Sequence, residues 1–366
     1  MDDGFIYLDN ATTAWPRPEA VYRRVEDTMR WYGAGMGCAA GRQRDRAGRM
    51  LEQARKNVAG LFGLSDEGKV IFTSGSADAL SGAIRGLIPE GSRVLIGPYE
   101  HNLIYGPVLE RHPRILHTVR GGGGFGWDME DFREKCESGV DFAVISHVSN
   151  VTGCSAPLKD ISEAVHRSGG VLIVDASLSA GVLPVSMQAD GIDILCTAGH
   201  RGLLGPVGTG LLLAEPSAYL RERAGIRPIC RGSKGTVNLP GIAGLDEGIS
   251  FLKQYGIRKL AGRRRALADY CMGELRRIPD VTVYGRSPAD TGLFSFRIAG
   301  ETPEMTGMLL NESYYVGVCA GLHDAPLAHR TLGTMPDGTV RVSFGCFNEK
   351  EEADDMIQAV AELARH

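Results

Sequence analysis

Residues 191–213 read GIDILCTAGHRGLLGPVGTGLLL: an apolar run, a glycine-rich turn carrying His200 and Arg201, and a second apolar run. Runs this short and continuous, with no polar alternation, are what strands buried on both faces require. Upstream the same kind of run recurs as KVIFTSG, SRVLIGP, RILHTV, FAVISHV and GVLIVDAS. The stretches between them have helical spacing. In ISEAVHRSGG, for example, Ile161, Ala164, Val165 and Ser168 form one stripe, and Gly169-Gly170 closes the helix. From about residue 50 to 215 the alternation predicts an α/β fold, with a large, mostly parallel sheet covered by helices on both faces.

After residue 240 the rhythm changes. One long helical stretch from Gly241 to Ile278 leads into VTVYG, GLFSFRIAG, a helix near 304–312, VRVSFGCFN and a terminal helix. The expected organisation is a large α/β domain of residues 15–245 and a smaller α+β domain of residues 246–366 that takes in residues 1–14. The run Gly121–Gly124 reads as a flexible strand-to-helix loop, not a phosphate cradle. Arg263-Arg-Arg265 reads as a solvated helix face.

The chain has 366 residues, 43% of them hydrophobic, and a net charge of −4. That length buries a large core, and with no basic excess, neither nucleic acid nor an acidic membrane is expected as a partner. Eight cysteines lie scattered without a CxxC pair, which argues against a zinc site or a disulfide framework and fits a reducing cytoplasm. No basic-then-apolar leader opens the chain, and no run of about 18 apolar residues occurs. A soluble, cytoplasmic protein without a metal is expected.

In open parallel sheets, ligands bind beyond the carboxyl ends of the strands, so the residues just after each apolar run carry the chemistry. After KVIF comes Gly75-Ser76-Ala77-Asp78, opening a helix whose free N–H groups make an anion site; taken alone it reads first as an ordinary capped turn. His101 follows VLIGPYE, a position that packing also explains. Asn150 follows AVISHVS. Asp175 ends VLIVD, where a buried carboxylate needs a cationic partner: a protonated pyridine nitrogen, or simply a salt bridge or a helix cap.

Taken in order, YLDNATTAWPRPEAV, VIFTSGSADALSGAIRGL, YEHNLIYGPV, SHVSNVTGCSAPLKDI, VDASLSAG, GIDILCTAGHRGLLGPVGTGLLL, GLHDAPLAHRTLGT and VRVSFGCFN resemble the class V aminotransferase family, in its cysteine desulfurase-like branch. The resemblance spans nearly the whole chain. It implies the aspartate-aminotransferase-like fold of type I pyridoxal-phosphate enzymes and a homodimer with sites at the interface. It implies phosphate contacts from Gly75, Ser76 and Ala77, ring stacking by His101, and a pyridine-nitrogen partner in Asp175. Asn150 falls beside the phenolic oxygen, Ser177 at a ring-or-phosphate position and His200 at a phosphate position. Thr236 falls where the neighbouring subunit lends a phosphate contact, and Arg341 where the family grips a substrate carboxylate.

Several positions depart from that pattern. Arg201 stands where the family has its Schiff-base lysine, and a guanidinium, with a pKa above about 12, offers no free amine. Asp324 stands where the family has its nucleophilic cysteine, and a carboxylate forms no persulfide. Cys319 replaces an arginine, Leu178 a glutamine that donates to the cofactor, and Ala77 a phosphate-binding threonine.

The expectation is therefore a degenerate relative, a homodimer without ordinary desulfurase chemistry that binds a small anionic ligand or a partner, with no cofactor or with pyridoxal phosphate held non-covalently. The alternative is an enzyme holding pyridoxal or pyridoxamine phosphate without a covalent link, with His200 or another base moving protons for an amino-acid-like substrate on Arg341. A third possibility recruits Lys234 in place of the missing lysine, and a displaced thiol at Cys319 is a further one.

Overall fold

The computed structural model describes residues 4–32, 41–64, 70–215 and 237–365. Thr236 and Lys234 lie outside the described residues. The chain runs β1 (Ile6–Tyr7), α1 (Glu19–Trp31), α2 (Arg42–Phe62), β2 (Val70–Thr73), α3 (Ser76–Leu87), β3 (Arg93–Ile96), α4 (Asn102–Leu109) and β4 (Ile115–Thr118). It continues through α5 (Met129–Glu137), β5 (Phe142–Ser146), α6 (Leu158–Arg167), β6 (Val171–Asp175), β7 (Ile194–Ala198) and β8 (Gly210–Ala214).

These strands form a seven-stranded sheet in the order β2-β8-β7-β6-β5-β3-β4. Only β8 runs against the others, pairing antiparallel with both β2 and β7. Strands β5 to β8 have hardly a solvent-facing residue among them, because helices cover both faces. That is why they lack the alternation of a half-exposed strand. The stripe in α6 buries Ile161, Ala164 and Val165 as its spacing requires.

The second half contains α7 (Leu239–Tyr255), α8 (Ile257–Leu275), β9 (Val281–Tyr284), β10 (Leu293–Ile298), α9 (Pro303–Tyr314), β11 (Val316–Gly317), β12 (Cys319–Gly321), α10 (Pro326–Leu332), β13 (Thr339–Ser343) and α11 (Lys350–Leu363). The long helical stretch expected from the sequence is two helices, broken at Gly256, whose φ of 83° no continuing helix accommodates. Strands β12-β13-β10-β9 make an antiparallel sheet, and β1 pairs in parallel with β11.

One core gathers Leu172, Leu195 and Leu213 of the large sheet with Leu245, Ile249 and Leu252 of α7. Another gathers Ile6 and Leu8 with Leu267, Phe294, Phe296 and Val342. The N-terminal strand is thus buried with the second half of the chain.

Two local readings differ from the structure. The glycine run is tied down: Gly122 N–H donates to Gly126 O at 2.9 Å, and the Tyr99 hydroxyl donates to Gly126 O at 3.2 Å. Arg264, read as solvated, is only 3% exposed, in the apolar stripe of α8 between Leu260 and Leu267. Three arginines in a row read alike, but a helix turns successive residues by about 100°, so the middle one faces inward. No helix among the described residues is long and apolar enough to cross a membrane, and none of their His, Cys, Asp and Glu side chains gather into a metal-binding group.

Candidate active site

Strands β2, β3, β5, β6 and β7 share one direction, so their carboxyl ends meet along one edge of the sheet. The segments after them bring Gly75-Ser76, His101, Asn150, Asp175 and His200-Arg201 together. Gly75 caps α3 and Ser76 is its first residue, buried, so the leading N–H groups of a twelve-residue helix have no intrahelical acceptors. Ser74 does not add to this site, because its N–H and hydroxyl both donate to Asp78 Oδ2, at 3.1 and 3.2 Å. Ala77 is exposed and brings no hydroxyl.

Asp175 is 8% exposed, and its Oδ1 accepts from Ser177 N at 2.9 Å and from the Ser177 hydroxyl. Ser177 therefore serves the aspartate in this structure. His101 caps α4, its Nδ1 accepting from Leu103 N at 3.0 Å, so the neutral ring carries its proton on Nε2. Burial lowers the pKa of His101; Asp175 opposes that shift, Arg201 adds to it, and Asp324 and Arg341 also act on the ring.

Arg201 lies on the loop after β7, and the loop is pinned from the N-terminal segment: Ala14 N–H donates to His200 O at 2.9 Å and Arg17 Nε to Gly205 O at 2.9 Å. Gly202 lets the loop sit close, since a Cβ there would lie 2.4 Å from Ala180 O and 2.6 Å from Val182 Cγ2. Burial lowers the Arg201 pKa, Asp175 and Asp9 partly offset this, and Arg341 adds to it. Burial also lowers that of His200, with Arg201 and Arg17 reinforcing the shift, so the imidazole is neutral at neutral pH.

Arg341, on β13, donates to Asp9 Oδ1 at 2.9 Å and Thr12 Oγ1 at 2.8 Å, and to Asn150 O at 3.4 Å. Four buried polar atoms around the cleft have no partner: Arg201 Nε, Arg341 Nε, His200 Nδ1 and Asn150 Oδ1. They are four of the eight such atoms among the described residues, and a bound ligand would supply partners for them. Asp324 is exposed, with φ of 53°, and its carbonyl accepts from Asn102 N–H at 2.8 Å. Cys319 is half-buried, its thiol pKa raised by burial, with Arg341 opposing the shift.

The sequence reading passed over Glu100. It is 1% exposed and accepts from Gly97 N at 3.0 Å, Ser146 N at 2.9 Å and Ser146 Oγ at 2.6 Å, joining the ends of β3 and β5 beside His101. Burial pushes its pKa up to about 7 against those hydrogen bonds. The signal was an acid next to a histidine at the end of an apolar strand.

For a phosphorylated pyridine such as pyridoxal phosphate, these residues fit in part. The α3 N-terminus suits the phosphate, Asp175 the ring nitrogen and His101 the ring face. The covalent anchor does not fit, because the buried side chain at position 201 is a guanidinium.

The aminotransferase class-V family profile matches residues 6–356. A protein named probable cysteine desulfurase from Methanothermobacter thermautotrophicus is 27% identical, over 98% of this chain and 94% of its own. A cysteine desulfurase from Thermococcus onnurineus, solved in its apo form, superposes with a TM-score of 0.90 at 25% identity, covering 99% of this chain and 95% of that one. An Escherichia coli cysteine desulfurase shares the fold, with a TM-score of 0.87 at 23% identity. A match over nearly the whole length makes this chain a member of the class-V aminotransferase family.

Proposed function

We propose that this protein is a degenerate relative of the cysteine desulfurases that binds a small anionic ligand in the ancestral cofactor cleft without forming a bond to it. The observation that carries this reading is the set of buried, partnerless polar atoms on Arg201, Arg341, His200 and Asn150. Three belong to groups that favour an anion or an acid, and none is a free amine or a thiol. Pyridoxamine or pyridoxal phosphate, an electron sink for amino-acid chemistry when bound, is the ligand these residues suit. Ser76 and the N–H groups behind it would take the phosphate, Asp175 the ring nitrogen, and Arg201 would supply charge where the family supplies an amine. Leu178 and Ala77 each remove a polar contact of about 0.5–1.5 kcal/mol, so retention is weaker than in a relative with both. The family's homodimer is part of the proposal.

The deciding test is a titration with pyridoxal and pyridoxamine phosphate, followed by borohydride reduction and peptide mapping. Expected are saturable stabilisation, worth about 2.7 kcal/mol at a hundred times the dissociation constant, and no lysine-linked adduct. A reducible adduct on a lysine overturns the reading.

One observation favours catalysis as a second reading. His200 is held neutral with Nδ1 unpartnered, which suits a proton acceptor next to an amino-acid-like substrate on Arg341. Exchange of a substrate α-proton with solvent, lost in His200→Gln, would support it.

A further inference from the structure

A second cleft borders the Arg201 loop. It encloses about 50 Å³ between the loop, the N-terminal segment, the end of β13 and helix α8, and opens to solvent. Ser76, His101, Asp175 and Arg341 do not line it; it adjoins the cofactor cleft and shares Arg201 and Leu178 with it.

Arg264 projects from the apolar stripe of α8 into its wall. The residue is 3% exposed; its guanidinium donates to Gly181 O at 3.3 Å, leaves Nε without a partner, and has no ion pair with a carboxylate among the described residues. A buried unpaired cation is strongly unfavourable, and an apolar residue of similar length would be expected there if packing were its only role. Burial also lowers its pKa, with Cys346 the only opposing influence.

The neutral polar groups in the wall are already engaged. Ser343 Oγ donates to Leu8 O at 3.2 Å and accepts from Ala11 N at 2.9 Å. Thr291 Oγ1 donates to Gly153 O at 3.0 Å, and Asn10 Oδ1 accepts from Trp15 N at 3.2 Å. What stays open is the unpartnered Nε of Arg264 and that of Arg201, which lines the same cleft: donors, with positive charge. Any acceptor oxygen can meet these donors, but the positive charge of two guanidiniums favours an acceptor that carries negative charge, an oxyanion, over an amide carbonyl or a hydroxyl. The rest of the wall is carbon, from Ala14, Leu178, Val182 and Phe344 among others.

We propose that this cleft binds a small oxyanion carrying a short apolar body, gripped by Arg264 with the charge of Arg201 alongside. Carboxylates and phosphate monoesters share that chemistry. The proposal does not rest on the cofactor reading.

The test is thermal unfolding of the full chain at constant ionic strength, with butyrate, monobutyl phosphate, inorganic phosphate or butyramide added over chloride. Butyrate or monobutyl phosphate should raise the melting temperature saturably, and whichever does so at lower concentration names the head group. Butyramide should do nothing. Arg264→Met should weaken the effective oxyanion at least tenfold. If that variant is unfolded, Val182→Phe, which narrows the cleft and leaves the charge, carries the same expectation. No stabilisation beyond chloride, or undiminished binding in a folded variant, overturns the proposal. Stabilisation by inorganic phosphate alone removes the apolar body and overturns it as well. Pyridoxamine phosphate titrated into the wild type and Arg264→Met reports on the first cleft where its effect survives the substitution: such binding with no effect of butyrate or monobutyl phosphate sinks this proposal alone, and the reverse sinks the earlier one alone.

Discussion

Arg341 donates to the carboxylate of Asp9 at 2.9 Å, with the arginine side chain 6% and the aspartate 18% exposed. The residue we propose as the grip for a ligand's carboxylate is thus held by a carboxylate of its own chain, which would both aim the fork and compete for it.

Asp9→Ala should therefore act twice. Losing a charged hydrogen bond should destabilise the fold by about 1.5–3 kcal/mol, measured by urea unfolding. The released guanidinium should bind carboxylates in the cofactor cleft more tightly, read as a lower dissociation constant. Unchanged affinity would show that the pair does not compete.

Arg201→Lys supplies the missing amine. With pyridoxal phosphate the variant should give a borohydride-reducible adduct at position 201 by mass spectrometry, while the wild type gives none. Sulfide release from cysteine should remain absent in this variant, because Asp324 brings no thiol. Release restored by Arg201→Lys alone would show that another cysteine does the work, with Cys319 the first to substitute.

Glu100 and His147 tilt stability in opposite directions with pH. The folded-state pKa of Glu100 is raised from 4.5 to about 7, so the folded protein binds more protons. Its contribution is full below about 4.5 and is lost as pH rises through about 7, by roughly 3 kcal/mol. His147 is held down to about 4 by burial, so its contribution is full above 6.5 and is lost as pH falls toward 4. Unfolding free energies measured from pH 4 to 8 should show the wild type losing ground to Glu100→Gln as pH rises, and to His147→Gln as it falls. Parallel curves would count against either assignment.

Gly202→Ala forces a methyl to within 2.4 Å of Ala180 O, so the loop must move and carry Arg201 with it. Overpacking of this kind costs about 1–3 kcal/mol. Affinity for pyridoxamine phosphate should fall by more than the stability loss alone would produce, because the displaced group is at the site. Equal affinity in a destabilised protein would place Arg201 outside ligand binding.

Glycine runs, apolar strands and strand-end residues are local features, so the fold and most of the cleft could be read from the sequence. The seven strand segments, and the grouping of Ser76, His101, Asn150, Asp175 and Arg201 along one edge, follow from β-runs alternating with helices in one direction. So did the chemical meaning of Arg201 and Asp324, since a guanidinium and a carboxylate carry the same functional groups wherever they sit.

Burial and pairing were not legible, because they depend on residues far apart in the chain. Ser177 turns to Asp175 and Arg341 to Asp9 only once β6 and β13 are in place. Glu100 gains its raised pKa from Ser146, 46 positions away. Arg264 changes from a solvated charge to a buried donor because α8 turns that one face of its arginine run against the core. The sequence by itself determined the family scaffold. The tertiary structure alone decided which of the remaining polar groups stand without partners, because satisfaction of a hydrogen bond is a property of the packed neighbourhood and not of the residue.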